Sequence, residues 1–146
     1  VPDDDDQLTS DHGFDLTSSG ETLAPIIQRL KSQGMRVSLF MDPDLEQIRL
    51  ASQIGADRIE LYTGPYAAAW GSSNMANIFQ QHLAAAELAT ELGMGVNAGH
   101  DLNLDNLKQF ASIPNLLEVS IGHAFTVDSL AMGMGNAVLA YKALLT

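Results

Sequence analysis

Cysteine is missing from this sequence of 146 residues, and basic residues are few. Without cysteine the chain has no disulfide framework and no thiolate chemistry. It also lacks any apolar run near the ~18 residues that a membrane span needs. Seven Lys and Arg stand against 18 Asp and Glu, a net charge of −11, and no basic stripe is present to replace the counterions of a nucleic acid. From these absences we expect the chain to have no nucleic-acid partner and no membrane span.

The acidic residues are concentrated at the start of the chain. Residues 1–21 hold seven of the 18 acids and no Lys or Arg. This start is unlike the basic start of a signal peptide, so we expect a cytoplasmic protein. Residues 1–17 are predicted to form a loop, which is either a solvated segment or a lid over an active site. The chain opens at Val1 and not with Met, and we expect it to be cut from something longer.

Helices and strands are predicted to alternate along the rest of the chain. Ser18 and Glu21 suggest a capping box for the first helix, and apolar stripes at helical spacing precede or follow each of four short strand-like runs. Residues 64–73 are predicted to be a loop. The predicted strands are 35–42, 57–63, 94–99 and 117–121; the predicted helices are 18–34, 44–55, 74–92, 103–114 and a last one from Val127, capped by Thr126.

Strict alternation of this kind predicts a parallel sheet with right-handed crossovers. Two of the strands place a carboxylate, Glu60 or Glu118, opposite their apolar face. A polar second face suits a barrel interior better than a doubly wound sheet, in which helices cover both faces. A complete (β/α)8 barrel needs ~250 residues. We therefore predict a single α/β domain, residues 1–146, that forms about the second half of a TIM barrel with four parallel strands and five helices.

Two glycine–histidine pairs stand where predicted strands end. His100 follows Gly99, and His123 follows Gly122. Because α/β enzymes carry out their chemistry where the C-terminal ends of parallel strands meet, we expect both pairs to belong to one site. His100 is either catalytic or a hydrogen-bonding loop residue. Gly122 frees backbone N–H groups before a helix, which suits phosphate, and the two histidines lack the third ligand of a persuasive zinc site.

Glu60 has both a catalytic and a structural interpretation. Alternation places it on one strand face with Arg58 and Tyr62, which points it into the predicted barrel. There it is either a catalytic carboxylate or half of an ion pair with Arg58 or another interior charge. His12, in the loop, and His82, on the long helix, are predicted to have no part in the chemistry.

Four segments taken together resemble one enzyme family, the pyridoxine 5′-phosphate synthases. They are Arg36-Val-Ser-Leu-Phe, Ile59-Glu-Leu-Tyr-Thr-Gly, Val96-Asn-Ala-Gly-His-Asp-Leu and Ile121-Gly-His-Ala, in the family's order and spacing across the chain. The resemblance implies a (β/α)8 barrel that forms homo-oligomers. It also implies a transferase that condenses 1-deoxy-D-xylulose 5-phosphate with 3-amino-2-oxopropyl phosphate to pyridoxine 5′-phosphate, phosphate and water. No metal or organic cofactor is implied.

The resemblance also implies roles for single residues. His100 matches the family's proton-donating histidine, and Glu60 matches its transition-state-stabilising carboxylate. The residues at its substrate-binding positions are Thr9, Asp101, Gly122 and His123. The last two match the pair that binds the product's phosphate, and the match of Thr9 favours a lid. Asp101 stands where many members have glycine, and the residues of the family's earlier strands, among them a catalytic His and Glu, have no counterpart here.

Two alternatives to the synthase remain open. The chain is alternatively a non-catalytic half-barrel that binds a phosphorylated ligand, or a partner through its exposed sheet edges. It is otherwise another phosphate-binding barrel enzyme, such as an isomerase or aldolase. An imine-forming aldolase would want a lysine at a strand end, and Lys31, Lys108 and Lys142 are not at one. The expected small-molecule partners are phosphorylated compounds in each case.

Overall fold

A computed structural model describes residues 1–145 and shows helices and strands in alternation. Within that range, none of the helices combines the length and hydropathy that crossing a membrane requires. The elements are α1 Leu16–Ser32, β1 Ser38–Met41, α2 Leu45–Gln53, β2 Arg58–Tyr62, α3 Gly64–Ala69, α4 Met75–Glu91, β3 Gly95–Gly99, α5 Leu107–Phe110, β4 Leu116–Ser120, α6 His123–Met132 and α7 Met134–Ala143.

The strands of residues 1–145 form one four-stranded sheet in the order β1-β2-β3-β4, and every pair is parallel. Each strand therefore pairs with the next one along the chain, which is the strand order of a TIM barrel. The register places Glu60 beside Asn97 and Tyr62 beside Gly99. The predicted fold class is confirmed: the chain forms half of such a barrel.

The helices differ from the prediction in number, because the described residues contain seven and not five. The predicted loop 64–73 includes α3, in which Pro65 occupies the first turn, where the missing proline N–H is not needed. The predicted last helix is divided into α6 and α7 at Gly133, which has a φ of 88°. Glycine adopts such positive φ values without steric cost, whereas other residues do not.

The first helix begins earlier than predicted. Asp15 is its N-cap, and the Asp15 carboxylate accepts a hydrogen bond from Thr17 N at 3.0 Å. The Ser18 hydroxyl instead donates to Asp15. The capping box of Ser18 and Glu21 was therefore the wrong start, because a better-placed acceptor lies three residues upstream. The loop ahead of α1 thus ends at Asp15.

The last predicted helix also begins earlier. α6 starts at His123, and Thr126 is a residue of its first turn, where the hydroxyl donates to the Gly122 carbonyl at 3.0 Å. The predicted start at Val127, with Thr126 as its cap, is therefore wrong. The consequence for the site is large, since the N-terminus of α6 now lies at the second glycine–histidine pair.

The apolar core lies between the sheet and its helices. Inward residues of α1, α2 and α4, among them Ile27, Ile48 and Ala86, pack against the sheet. A fully buried Leu or Ile contributes about 1.5–3 kcal/mol. β4 is less covered, as Leu117 remains 54% exposed, so this edge of the sheet is open. The fully buried residues of the two central strands are Ile59, Leu61, Val96 and Ala98.

Candidate functional site

The two glycine–histidine pairs share one cleft at the C-terminal edge of the sheet. The cleft has a volume of about 450 Å³ and receives residues from the N-terminal loop, the end of β3 and the turn between β4 and α6. Five of the six predicted site residues therefore meet here, and Glu60 lies beside them on β2. The lining residues are Thr9, His100, Asp101, Ser120, Ile121, Gly122 and His123.

The N-terminal loop reaches the cleft because its end is attached to β1. Phe14 N donates to Phe40 O at 2.9 Å, and Gly13 N donates to the Asp42 carboxylate at 3.2 Å. Gly13 lies so close to the backbone at the end of β1 that a Cβ at this position would collide with it. This attachment places Thr9 at the cleft, as the lid interpretation requires.

His100 lies on a left-handed turn, and its ring packs against two aromatic rings. Its φ is 85° and that of Asp101 is 56°, a region that is unfavourable for residues with a Cβ. The imidazole centroid lies 4.7 Å from the ring of Phe40 and 5.6 Å from that of Tyr62. Its Nδ1 is buried and has no hydrogen-bond partner within residues 1–145. Such backbone strain and unpaired buried groups concentrate at functional sites.

The left-handed turn predicts an unusual order of stability for substitutions at Asp101. Asp101→Gly should be more stable than Asp101→Ala by about 1 kcal/mol, because only glycine occupies this region without a clash of its Cβ. Denaturant unfolding of the two variants measures the difference. The control is the same pair of substitutions at Asp105, which has no positive φ. There the glycine variant should not be more stable than the alanine variant. Equal stability of the two Asp101 variants would contradict the turn geometry.

Sequence reasoning missed Thr63, which follows β2 directly. Thr63 is fully buried, its N–H donates to Gly99 O at 2.9 Å, and its hydroxyl lies 2.6 Å from the same oxygen. The hydroxyl also makes a short hydrogen bond to His100 O. The only available signal was a threonine at a strand end, which by itself does not indicate a contact to the neighbouring strand.

Glu60 lies next to His100 and has no ion-pair partner within residues 1–145. Its Oε1 approaches Gly99 so closely that a Cβ there would collide with it. Removal from water raises the pKa of the Glu60 carboxyl, and a protonated His100 would oppose part of this increase. The carboxylate is thus held close to His100 without a structural cation.

Arg58 forms a separate polar cluster with β3 and β4. Arg58 Nη1 lies 2.9 Å from Glu118 Oε1 and donates to Asn97 Oδ1 at 3.1 Å. Asn97 Nδ2 donates to Glu118 Oε2, also at 3.1 Å. The interpretation of Glu60 as the ion-pair partner of Arg58 is therefore wrong, because Glu118 takes that place.

The N-terminus of α6 presents unpaired backbone donors to the cleft. Gly122 is its N-cap, and no side chain caps the helix. The first backbone hydrogen bond of the helix runs from Thr126 N to Gly122 O, so within the described chain the N–H groups of His123, Ala124 and Phe125 have no acceptor. The helix dipole adds partial positive charge at the same point. This is the arrangement that binds a phosphate group.

The other two histidines lie outside the cleft. His12 pairs with Asp11 at 2.6 Å on the exposed loop, and this hydrogen bond raises the pKa of His12. His82 is buried, and its Nε2 lies 3.0 Å from Tyr62 O. Among residues 1–145, no group of three or more His, Cys, Asp or Glu is placed to hold a metal ion.

Known proteins resemble this chain along its whole length. The family described as pyridoxal phosphate biosynthesis protein PdxJ matches residues 1–146. A pyridoxine 5′-phosphate synthase of Brucella anthropi is 52% identical over 147 residues, which is 99% of this chain and 60% of the relative. One of Albidiferax ferrireducens is 48% identical over 142 residues, which is 97% of this chain and 56% of the relative.

A third relative, a pyridoxine 5′-phosphate synthase of Brucella abortus, is 53% identical over 143 residues and is covered to 58%. The chain thus spans between 56% and 60% of the length of these curated relatives. This share agrees with a sheet that contains half the strands of a barrel. Since the family match and the relatives extend over nearly the whole sequence, the chain belongs to the pyridoxal phosphate biosynthesis protein PdxJ family.

Proposed function

We propose that this chain supplies the proton-transferring and phosphate-binding part of a pyridoxine 5′-phosphate synthase. The reaction condenses 1-deoxy-D-xylulose 5-phosphate with 3-amino-2-oxopropyl phosphate and releases phosphate and water. One observation carries the proposal: His100 opens onto the same cleft as the unpaired N–H groups of α6. The names of the relatives agree with it.

Phosphate binding is the role proposed for the turn between β4 and α6. The N–H groups of the first α6 turn donate to phosphate oxygens, and the side chain of His123 stands beside them. Gly122 leaves open space on the side where other residues carry a Cβ. Because neutral N–H donors and a helix dipole bind the anion, a chain with a net charge of −11 needs no cluster of lysines there. Thr9, on the N-terminal loop, offers a hydroxyl to the same cleft.

Proton transfer is the role proposed for His100. Imine formation, dehydration and ring closure each require protons to move to or from oxygen and carbon, and an imidazole does this near neutral pH. The Glu60 carboxylate, partly removed from water, stabilises positive charge that develops on His100 or on the substrate. The Phe40 and Tyr62 rings hold the imidazole at the cleft.

A product assay on a completed barrel tests this function. The completed barrel is this chain joined to a segment of the Brucella anthropi relative. That segment is the part of the relative to which this chain does not align. With both phosphorylated substrates, it should form pyridoxine 5′-phosphate, detected by its absorbance and mass. The second candidate function, a half-barrel that only binds a phosphorylated ligand, is favoured by the open edge at β4. Ligand binding without product would support that alternative.

Glu60→Gln should lower the turnover of the completed barrel by about 10²-fold and leave its stability at neutral pH unchanged or higher. The amide has the same shape, but it carries no charge to stabilise the transition state. Since burial raises the pKa of Glu60, the folded protein binds this proton more tightly than the unfolded chain. The wild type should therefore lose stability relative to the variant as pH rises from the ordinary pKa through the raised one. Turnover and denaturant unfolding measured across pH give both results.

The matched control for this substitution is Glu118→Gln. Glu118 is paired with Arg58 and does not line the cleft, so its variant should lose some stability and keep its activity per folded molecule. The opposite outcome for Glu60→Gln, a sharp loss of stability with full activity, would make Glu60 a structural residue only.

We also propose that the full-length protein is a homo-oligomer in the cytoplasm. Three large apolar side chains on α6 and α7 support self-association, since Leu130 is 85%, Met134 67% and Leu139 68% exposed. Monomeric proteins rarely leave large apolar patches uncovered. Light scattering of the completed barrel tests the proposal, and a monomer at micromolar concentration would contradict it.

A further inference from the structure

We infer that Thr63 is a positioning residue for His100. Its hydroxyl holds the His100 carbonyl and thereby the left-handed turn that directs the imidazole into the cleft. The inference rests on the proposed role of His100 in proton transfer, and it adds a residue that does not itself line the cleft.

Thr63 lies between a strand and a helix, where the backbone pairing of β2 with β3 ends. Its hydroxyl is therefore needed to bond the next residue of the neighbouring chain segment, His100. β2 ends at Tyr62 and β3 ends at Gly99, and the hydrogen bond from Thr63 N to Gly99 O at 2.9 Å lies just beyond them. The chain then turns into α3 at Gly64, and Pro65 has no N–H to donate. The Thr63 side chain thus extends the pairing of the two strands by one residue, to His100.

The hydroxyl has one hydrogen and two carbonyl oxygens within reach. Gly99 O already accepts the Thr63 N–H, whereas His100 O has no other donor within residues 1–145. The hydroxyl hydrogen therefore contributes most at His100 O. Thr63 is fully buried, and loss of its hydroxyl would remove the one donor that His100 O has within residues 1–145.

This carbonyl belongs to a residue whose backbone is strained. With a φ of 85°, His100 needs contacts that offset the cost of the left-handed conformation. Relaxation to a negative φ would turn the Cα–Cβ bond and move the imidazole away from its contacts with Phe40 and Tyr62. The following residue is held independently, because Asn106 Nδ2 donates to Asp101 O at 3.2 Å. Thr63 therefore acts on His100 specifically.

Kinetics of the completed barrel test the inference. Thr63→Val keeps the shape and removes the hydroxyl, and we expect kcat to fall about 10²-fold, since a displacement of a catalytic group by ~1 Å has this effect. KM should change little, because the phosphate site at α6 is untouched. Thr63→Ser keeps the hydroxyl and should restore most of kcat. The control is Thr90→Val, which removes a hydroxyl bonded to Ala86 O at 2.9 Å inside α4 and should leave kcat unchanged.

A second measurement does not depend on activity. In the completed barrel with isotope-labelled histidine, the His100 ring protons should show ring-current shifts and nuclear Overhauser contacts to Phe40 and Tyr62. These signals should move toward unstructured values in Thr63→Val and persist in Thr63→Ser, whereas those of His123 should stay in place. This measurement tests the positioning role of Thr63 separately from the proposed synthase function, since the change in the His100 signals is expected even if no pyridoxine 5′-phosphate is formed.

Unchanged His100 signals in a folded Thr63→Val variant would overturn the inference, and so would an unchanged kcat. If the Val variant fails to fold, Thr63→Cys replaces it, because a thiol of similar size is a weaker donor. The Cys variant should show an intermediate loss of kcat with intermediate His100 shifts. Wild-type values in the Cys variant would equally overturn the role of the hydroxyl.

Discussion

Replacement of His100 by asparagine should reduce the turnover of the completed barrel by about 10²- to 10⁴-fold, the contribution that a positioned general acid or base makes. The amide retains hydrogen-bonding groups but does not take up and release a proton near neutral pH. The ring contacts with Phe40 and Tyr62 are partly lost, yet the backbone donors of α6 stay in place. Binding of a phosphate group should therefore persist in this variant.

Two measurements on the same preparation separate chemistry from binding. Product formation with both substrates gives turnover, and phosphorus NMR or calorimetry with inorganic phosphate gives occupancy at α6. His12→Asn is the matched control, because His12 lies on the exposed loop and contacts Asp11. Near-normal turnover of His100→Asn would remove His100 from the mechanism. Loss of phosphate binding together with turnover would point to a disturbed fold instead.

The meeting of the two glycine–histidine pairs was predictable from the sequence. Alternating elements define a parallel sheet, and in such a sheet the C-terminal ends of all strands lie on one edge. His100 and His123 each follow a strand, so their convergence required no knowledge of side-chain packing. Both pairs line one cleft, and the strands that precede them end at Gly99 and Ser120.

The start of α6 was not predictable from capping signals, for a reason that bears on function. Sequence rules look for a side chain that satisfies the first N–H groups, and Thr126 offered one. The helix in fact begins after Gly122 with no side-chain cap. A helix that keeps its N-terminal N–H groups free for a ligand has no capping side chain, and the capping side chain is the signal by which sequence rules recognise a helix start.

The partner of Arg58 depended on strand register, which the sequence does not reveal. Alternation put Arg58 and Glu60 on one face, two residues apart on the same strand. An irregularity in the pairing of β3 with β4 between Val96 and Asn97 accompanies the approach of Glu118 to Arg58. Arg58 on β2 and Glu118 on β4 are two strands apart, with Asn97 of β3 bonded to both, and such contacts are set by strand pairing and not by spacing along one strand. Glu60 is thereby left for the site.

The 146-residue chain alone should form no measurable pyridoxine 5′-phosphate. β1 and β4 are the outer strands of its sheet, so each has one side without a neighbouring strand, which favours association through the edges. On β4, Leu117 is 54% exposed and the Glu118 side chain 53% exposed. The resemblance further places a catalytic His, a second catalytic Glu and basic phosphate contacts on strands that these residues do not contain.

The test is a product assay on the purified chain, alone and mixed with the separately made segment of the Brucella anthropi relative that its match does not cover. Turnover should be absent in the first sample and partly restored in the second, since the added strands pair with β1 and β4 and bring the missing groups to the cleft. Mixing that segment with the His100→Asn chain is the control and should restore folding with a turnover at least about 10²-fold lower. Binding of one phosphate at α6 should survive in the chain alone, because those donors need only local structure. Full turnover by the chain alone would contradict both the half-barrel and the assignment of essential groups to the other strands.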